Sequence, residues 1–191
     1  MNTLIAATHN KDKLREFREI FPGWSIEADS PDIEETETTF AGNALLKARA
    51  VAAHHPGAWV LADDSGLAVD ALGGAPGVFS ARYAGRDGDN EANNALLMEN
   101  LRGVGNRAAH YACAIALVTP EGEARLFEGR CDGRIALAPS GTGGFGYDPL
   151  FVPDGADRTF ANFTPEEKNA ISHRGKALEK MRQWMKGHAS L

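Results

Sequence analysis

The chain has only two cysteines among its 191 residues and no apolar run long enough to cross a bilayer. Cys113 and Cys131 lack metal-ligand spacing, and a chain this size needs no covalent staple, so reduced thiols are expected. The longest apolar stretch, Ala112 to Val118, falls far short of the ~20 residues of a membrane helix. The opening Met1-Asn2-Thr3-Leu4 shows no basic region ahead of an apolar segment, so no signal peptide is expected. These absences predict a soluble cytoplasmic protein without a membrane partner. The six histidines show no H-x-x-x-H or similar spacing, which removes zinc. A basic excess is missing as well. The formal net charge of −6 argues against nucleic acid as a partner. A small polyanion remains open, because a few lysines at one place outweigh a distant net charge.

What is present is ordinary globular material, 43 % apolar and 24 % charged. That composition excludes disorder, and the length predicts a single domain spanning residues 1–191. Leu4-Ile5-Ala6-Ala7 reads as a buried strand, followed by helical spacing at Leu14, Phe17, Ile20 and Phe21 that closes at Pro22-Gly23. Phe40 to Ala52 carries a second helix, and Ala58 to Ala62 a strand that runs into Asp63-Asp64-Ser65-Gly66. A third helix holds Ala92, Leu96, Leu97 and Leu101, with Asp89 as its cap and Gly103 as its stop. His110 to Thr119 and Ala124 to Arg130 predict a hairpin around Pro120 and Gly122. Pro139 to Pro153 shows no periodicity. Thr164-Pro165-Glu166-Glu167 matches a capping box, and Ala177, Leu178, Met181, Trp184 and Met185 form the apolar face of a last helix. The pattern is mixed α/β.

Four places carry candidate chemistry. Thr8-His9-Asn10-Lys11-Asp12-Lys13 lies at a strand-to-helix turn, where free N–H groups, the helix dipole and two lysines suit phosphate. An ordinary capped helix with solvated lysines is the competing reading. Asp63-Asp64 sits at an expected strand end, a place that suits a Mg²⁺ ligand. Adjacent strand residues face opposite ways, so one aspartate alone should reach a given site. Ser65 is no nucleophile elbow, since its neighbours do not spell G-x-S-x-G. Gly141 to Gly146 spells G-x-G-x-x-G, but Tyr147-Asp148-Pro149 opposes an immediate helix, so a loop carrying Phe145 and Asp148 is expected instead of a dinucleotide fingerprint. Lys168 and His173-Arg174 are spaced to converge on one ligand.

The order Thr8–Lys13, Phe40-Ala41-Gly42-Asn43-Ala44-Leu45-Leu46-Lys47-Ala48, Leu61 to Leu72 with Asp63-Asp64-Ser65-Gly66, Pro76 to Tyr83, Gly144 to Phe151, and Lys168 through Ser172-His173-Arg174 resembles the non-standard purine nucleoside triphosphate pyrophosphatases, the inosine/xanthosine triphosphatases. The resemblance implies an ITPase-like α/β fold: an elongated mixed central sheet with flanking helices, and two lobes around a nucleotide cleft. It further implies a homodimeric, Mg²⁺-dependent enzyme that cleaves ITP, dITP and XTP to the monophosphate and pyrophosphate. Thr8, His9, Asn10, Lys11, Asp12 and Lys13 would hold the triphosphate. Asp64 would be the catalytic carboxylate and metal ligand, and Ser65 would touch substrate. Phe145, Gly146, Tyr147, Asp148, Lys168, His173 and Arg174 would enclose and read the base. Gly42 departs from the family, which often places a metal-binding Glu there, and Glu35 or Glu37 could substitute. A free aspartate near pKa 3.9 beside a dication is a poor base, so holding metal and water is expected of Asp64 more than proton transfer. Two rivals are a Maf-like pyrophosphatase for pyrimidine or modified nucleotides and a non-catalytic nucleotide sensor.

Overall fold

The computed structural model describes residues 2–188. Six strands form one mixed sheet in the order β2-β1-β3-β4-β5-β6. They are β1 (Asn2–Ala6), β2 (Trp24–Ala28), β3 (Trp59–Val69), β4 (Ala108–Val118), β5 (Ala124–Ile135) and β6 (Phe151–Pro153). β1 runs parallel to both β2 and β3, while β5 and β6 are antiparallel. The helices are α1 (Lys11–Ile20), α2 (Phe40–Ala52), α3 (Asn90–Asn100), α4 (Pro165–Ile171) and α5 (His173–His188). The expected mixed sheet with flanking helices is therefore present.

The chain divides into two compact units. The first holds residues up to Asp64, Cys113–Gly129 and those from Arg174 onward; the second holds Ser65–Ala112 and Arg130–His173. In the first unit β1, β3 and β4 are buried on both faces, and their alternation separates two apolar layers. Leu4, Ala6, Leu61, Ile115 and Leu117 pack with Leu14 and Phe17 of α1 and with Ala177, Leu178 and Met181 of α5. Ile5, Ala7, Val60, Ala62, Ala114 and Ala116 pack with Ala44, Ala48 and Val51 of α2. In the second unit Leu67, Val69, Tyr111, Cys131 and Ile135 close around Leu97 of α3, Leu101 just beyond its end, and Phe151 and Phe160.

Local capping fixes the helix starts, at Asp89 and Thr164 as the sequence predicts. Asn10 accepts from the amides of Asp12 and Lys13, Asp89 accepts from Ala92, and Thr164 with Glu167 completes the capping box. Two elements differ from expectation. β2 has no counterpart in the sequence reading, because only Ile26 of its five residues is buried. And β3 does not end at Asp63 but continues to Val69, with Asp63-Asp64-Ser65-Gly66 inside it. The reason is Gly66. A Cβ there would collide with the Ser80 hydroxyl and come within 2.5 Å of the Gly77 carbonyl oxygen. The absent side chain lets the strand run straight under that turn, where Ser80 Oγ accepts from the Leu67 amide at 2.9 Å.

Candidate active site

Although Asp63 and Asp64 lie within β3, they stand just beyond the carboxyl end of its parallel neighbour. The β1–β3 register stops at Ala6 opposite Leu61, and the Ala7 amide donates to the Leu61 carbonyl at 2.8 Å. That is the place where open parallel sheets put their reactive groups. The pleat then sends the two carboxylates to different faces. Asp63 follows Leu61 toward α1 and α5, and Asp64 follows Ala62 toward α2.

Asp63 meets Lys13 Nζ at 2.5 Å through Oδ1, and its Oδ2 accepts from Arg174 Nε at 3.0 Å. Arg174 Nη1 donates to Glu16 Oε2 at 2.6 Å, and the Cys113 thiol lies 3.5 Å from Asp63 Oδ2. All of these belong to the first unit. Burial pushes the Asp63 carboxyl up, but Lys13, Arg174 and Lys47 together outweigh it and hold it far below the ordinary carboxylate range. For Arg174, burial is likewise overcome by Asp63 and Glu16, so the guanidinium stays charged. Burial and the Asp63 charge both push the Cys113 thiol up, which leaves it protonated and suited to donate.

Asp64 is in the opposite condition. Its Oδ1 is 3.7 Å from Lys47 Nζ, while its Oδ2 is buried with no hydrogen-bond partner among the described residues. Lys47 donates to Glu35 Oε1 at 2.7 Å and to the Asp63 carbonyl at 2.8 Å. Burial raises the Asp64 carboxyl to about 6; Lys47 opposes this and the Glu35 charge adds to it. Lys47 itself, despite burial, is raised by Asp64, Asp63 and Glu35 and remains an ammonium. With no cation bound, burial thus leaves this aspartate more basic than a solvated one.

Lys47 and the Lys13–Asp63 pairing escape a sequence reading. The available signal for Lys47 is its place on the buried stripe of α2, three residues from Ala44 and four from Val51. At Gly42 a Cβ would stand 2.8 Å from Glu37 Cβ and 3.0 Å from Thr39 Oγ1, so the stem of Glu37 occupies the room a side chain would need.

At the β1–α1 turn, Thr8 Oγ1 accepts from the Asn10 amide at 3.1 Å, and Asn10 Oδ1 takes the Asp12 and Lys13 amides at 3.0 and 3.2 Å. Asp12 pairs with Arg15 at 2.8 Å, and His9 and Lys11 are exposed. Lys13 alone of this group points its charge at Asp63.

The second unit brings together most of the remaining expected residues. Asp148 Oδ2 accepts from Lys168 Nζ at 2.7 Å and from the Phe145 amide at 3.0 Å. Lys168 Nζ also stands 4.6 Å from the Phe145 ring centroid. Asp148 Oδ1 accepts from the Tyr111 hydroxyl at 3.1 Å, and the Tyr111 ring stacks on His173 at 4.5 Å and 8°. Gly144 adopts a left-handed φ of 66° directly over the Asp148 carboxylate, where a Cβ would collide with Oδ2. The Tyr147 hydroxyl donates to the Ser80 carbonyl at 2.6 Å, and burial pushes its pKa well up, so this phenol anchors the loop from inside. Asn94 donates to the Gly146 carbonyl at 2.9 Å. Lys168 pairs with Asp148 in the second unit, and Arg174, 2 % exposed, serves Asp63 and Glu16 in the first. The helix breaks between them at Ser172, an extended residue at ψ 157°.

A buried carboxylate facing a lysine past the end of parallel strands is the equipment of a hydrolase, and the second unit carries its own cluster of aromatic and cationic side chains. The chain belongs to the Ham1 family, whose pattern matches residues 4–184. It is 52 % identical over 189 residues to the dITP/XTP pyrophosphatase of Streptomyces coelicolor, covering 93 % of this chain and 94 % of that one. Its fold matches the Ham1 protein of Staphylococcus aureus with a TM-score of 0.87 at 38 % identity, covering 98 % of this chain and 100 % of that one. It matches the nucleoside-triphosphatase / dITP/XTP pyrophosphatase of Mycobacterium abscessus with a TM-score of 0.74 at 48 % identity, covering 94 % and 98 %.

Proposed function

We propose that this chain is a nucleoside triphosphate pyrophosphatase that removes non-standard purine nucleotides, hydrolysing dITP, ITP and XTP to the monophosphate and pyrophosphate. The observation that carries the reading is Asp64: a buried carboxylate with one unpartnered oxygen, raised to about 6, beside Lys47. With no cation bound that pKa lies near the working pH, where a base is most useful. In the reaction Asp64 Oδ2 orients a water and takes its proton as the water oxygen bonds to the α-phosphorus. The bond from that phosphorus to the α,β-bridging oxygen breaks, and pyrophosphate leaves. Lys47 and Lys13 supply positive charge for the phosphates.

Mg²⁺ fits the same place. Among the described residues no three His, Cys, Asp or Glu side chains form a metal cage. Mg²⁺ asks for less, taking one or two carboxylates and completing its shell with water and substrate phosphates. Asp64 and Glu35, which share Lys47, would hold it, and the bound ion would neutralise phosphate charge. Glu35 thereby takes the role that Gly42 leaves open.

Base selection is assigned to the second unit. Hypoxanthine and xanthine present a 6-oxo acceptor, where adenine presents a 6-amino donor. Lys168 and His173, with the loop of Phe145, Gly146, Tyr147 and Asp148, supply the donors and the ring-stacking faces. Arg174 is read as a support for Asp63 and Lys13. Ser65, next to Asp64 on the strand, and Thr8 to Lys13 complete the substrate contacts. The family resemblance supports a homodimer, and two free thiols are in keeping with a reducing, cytoplasmic place. Among the described residues no helix is long and apolar enough to cross a membrane.

The test is pyrophosphate release from dITP with Mg²⁺, without it, and in Asp64→Asn. Release that needs Mg²⁺ and is lost in the variant supports the reading. Binding without release would make the chain a nucleotide sensor, and faster release from pyrimidine triphosphates would place it with the Maf-like enzymes.

A further inference from the structure

The groups assigned to base selection share a neighbour that the mechanism has not used. Tyr111 lies on β4, 6 % exposed, in the core of the second unit. Its ring lies flat on His173, 4.5 Å between centroids and 8° from parallel, and Phe151 holds the ring from a tilted position at 4.6 Å. Its hydroxyl donates to Asp148 Oδ1 at 3.1 Å. The other oxygen of that carboxylate takes Lys168 Nζ at 2.7 Å and the Phe145 amide at 3.0 Å. One side chain thus touches the imidazole face and pins the carboxylate that orients both the ammonium and the loop.

We infer that Tyr111 is a positioning residue for purine selection, acting through Asp148 on Lys168 and the Phe145 amide and through its ring on His173. This rests on the reading that Lys168, His173 and the 145–148 loop meet the base. The physical need is clear. The last torsion of an aspartate is broad and two-fold, so a carboxylate held at one oxygen can swing. A lysine on a four-carbon stem points wherever its anion lets it. Selection between a 6-oxo and a 6-amino group depends on donors that cannot retreat, since rejection arises from buried partners left unmatched. A phenol on a strand at the centre of a packed core is a fixed donor in a way that a surface side chain is not.

Tyr111→Phe removes the hydroxyl and keeps the ring; Tyr111→Leu removes both. Steady-state kcat/KM for dITP and dATP is measured in each, with Lys168→Met and His173→Gln alongside and thermal melting to verify folding. Loss of a hydrogen bond to a charged group corresponds to about tenfold, so the dITP/dATP ratio should narrow about tenfold in Tyr111→Phe. It should narrow further in Tyr111→Leu, chiefly through loss of dITP activity. Equal falls for both nucleotides in Tyr111→Phe, or no change while Lys168→Met and His173→Gln narrow the ratio, overturn the positioning role alone. An unchanged ratio in all four variants overturns the assignment of base reading to this cluster, and the role of Tyr111 with it.

Discussion

Replacing Asp64 by asparagine should disable the enzyme and at the same time make the metal-free protein more stable. Burial lifts this carboxyl from its ordinary 3.8 to about 6. In the folded state it therefore keeps its proton in a range where the unfolded chain has already lost it. Below about pH 4 both states are protonated and Asp64 costs nothing. Between 4 and 6 unfolding releases a proton, so stability falls as pH rises. Above 6 the folded protein carries a buried carboxylate at the full cost, about 3 kcal/mol for a displacement of this size. Asparagine has the same shape and cannot ionise. At pH 7.5 in EDTA the variant should melt ~6–12 °C above the parent, from about 3 kcal/mol spread over a chain of this length. At pH 4.5 most of that gap should close. Turnover of dITP should fall at least ~10²-fold, the usual worth of a positioned base. Excess Mg²⁺ should raise the melting temperature of the parent well above any shift in the variant. Equal or lower stability of Asp64→Asn at pH 7.5, or a gap of the same size at both pH values, would refute the argument that burial governs this carboxyl.

The adjacent residue should respond with the opposite sign. Asp63 is held low by Lys13 and Arg174, so its stabilisation is present at neutral pH and is lost only as acid protonates it. Asp63→Asn takes the carboxylate from Lys13 and leaves Arg174 with Glu16 alone, and should cost about 3–5 kcal/mol in a urea melt at pH 7. Lys13→Ala should lower kcat/KM for dITP, XTP and dATP in parallel; a loss confined to one base would take Lys13 away from the phosphates. Gly66→Ala, whose methyl would meet the Gly77 carbonyl at 2.5 Å, should lower stability by about 1–3 kcal/mol, and an unchanged melting temperature would contradict the close approach drawn there.

The features legible in the sequence are those whose partners are near in the chain. The Asp89 cap reaches three residues ahead, the Thr164–Glu167 box three, and β4 is an apolar run closed by the turn at Pro120 and Gly122. Asp63 and Asp64 could be set on opposite faces from the pleat alone. Their environments could not. Arg174 finds Glu16 across 158 residues and Asp63 across 111, and no local pattern records such pairings. Polar Asp63-Asp64-Ser65-Gly66 reads as a turn because nothing nearby shows that Gly66 lies under Ser80. Tyr111 offered one clue, a phenol at an inward strand position whose hydroxyl needs a partner, but Asp148 is 37 residues away.

The alternation along β3 gives this protein something like a reading frame. Lys13 and Lys47 come from different helices and are each met by their own aspartate, and only the parity of residues 63 and 64 decides which carboxylate faces which lysine. One residue inserted between Ala62 and Asp63 would turn Asp63 toward α2 and put the inserted side chain opposite Lys13 and Arg174. Two residues would restore the parity while moving both carboxylates further past the end of β1. In this strand, unlike the loops, length tolerates change only in even steps, and the identity of the acid is less protected than its phase.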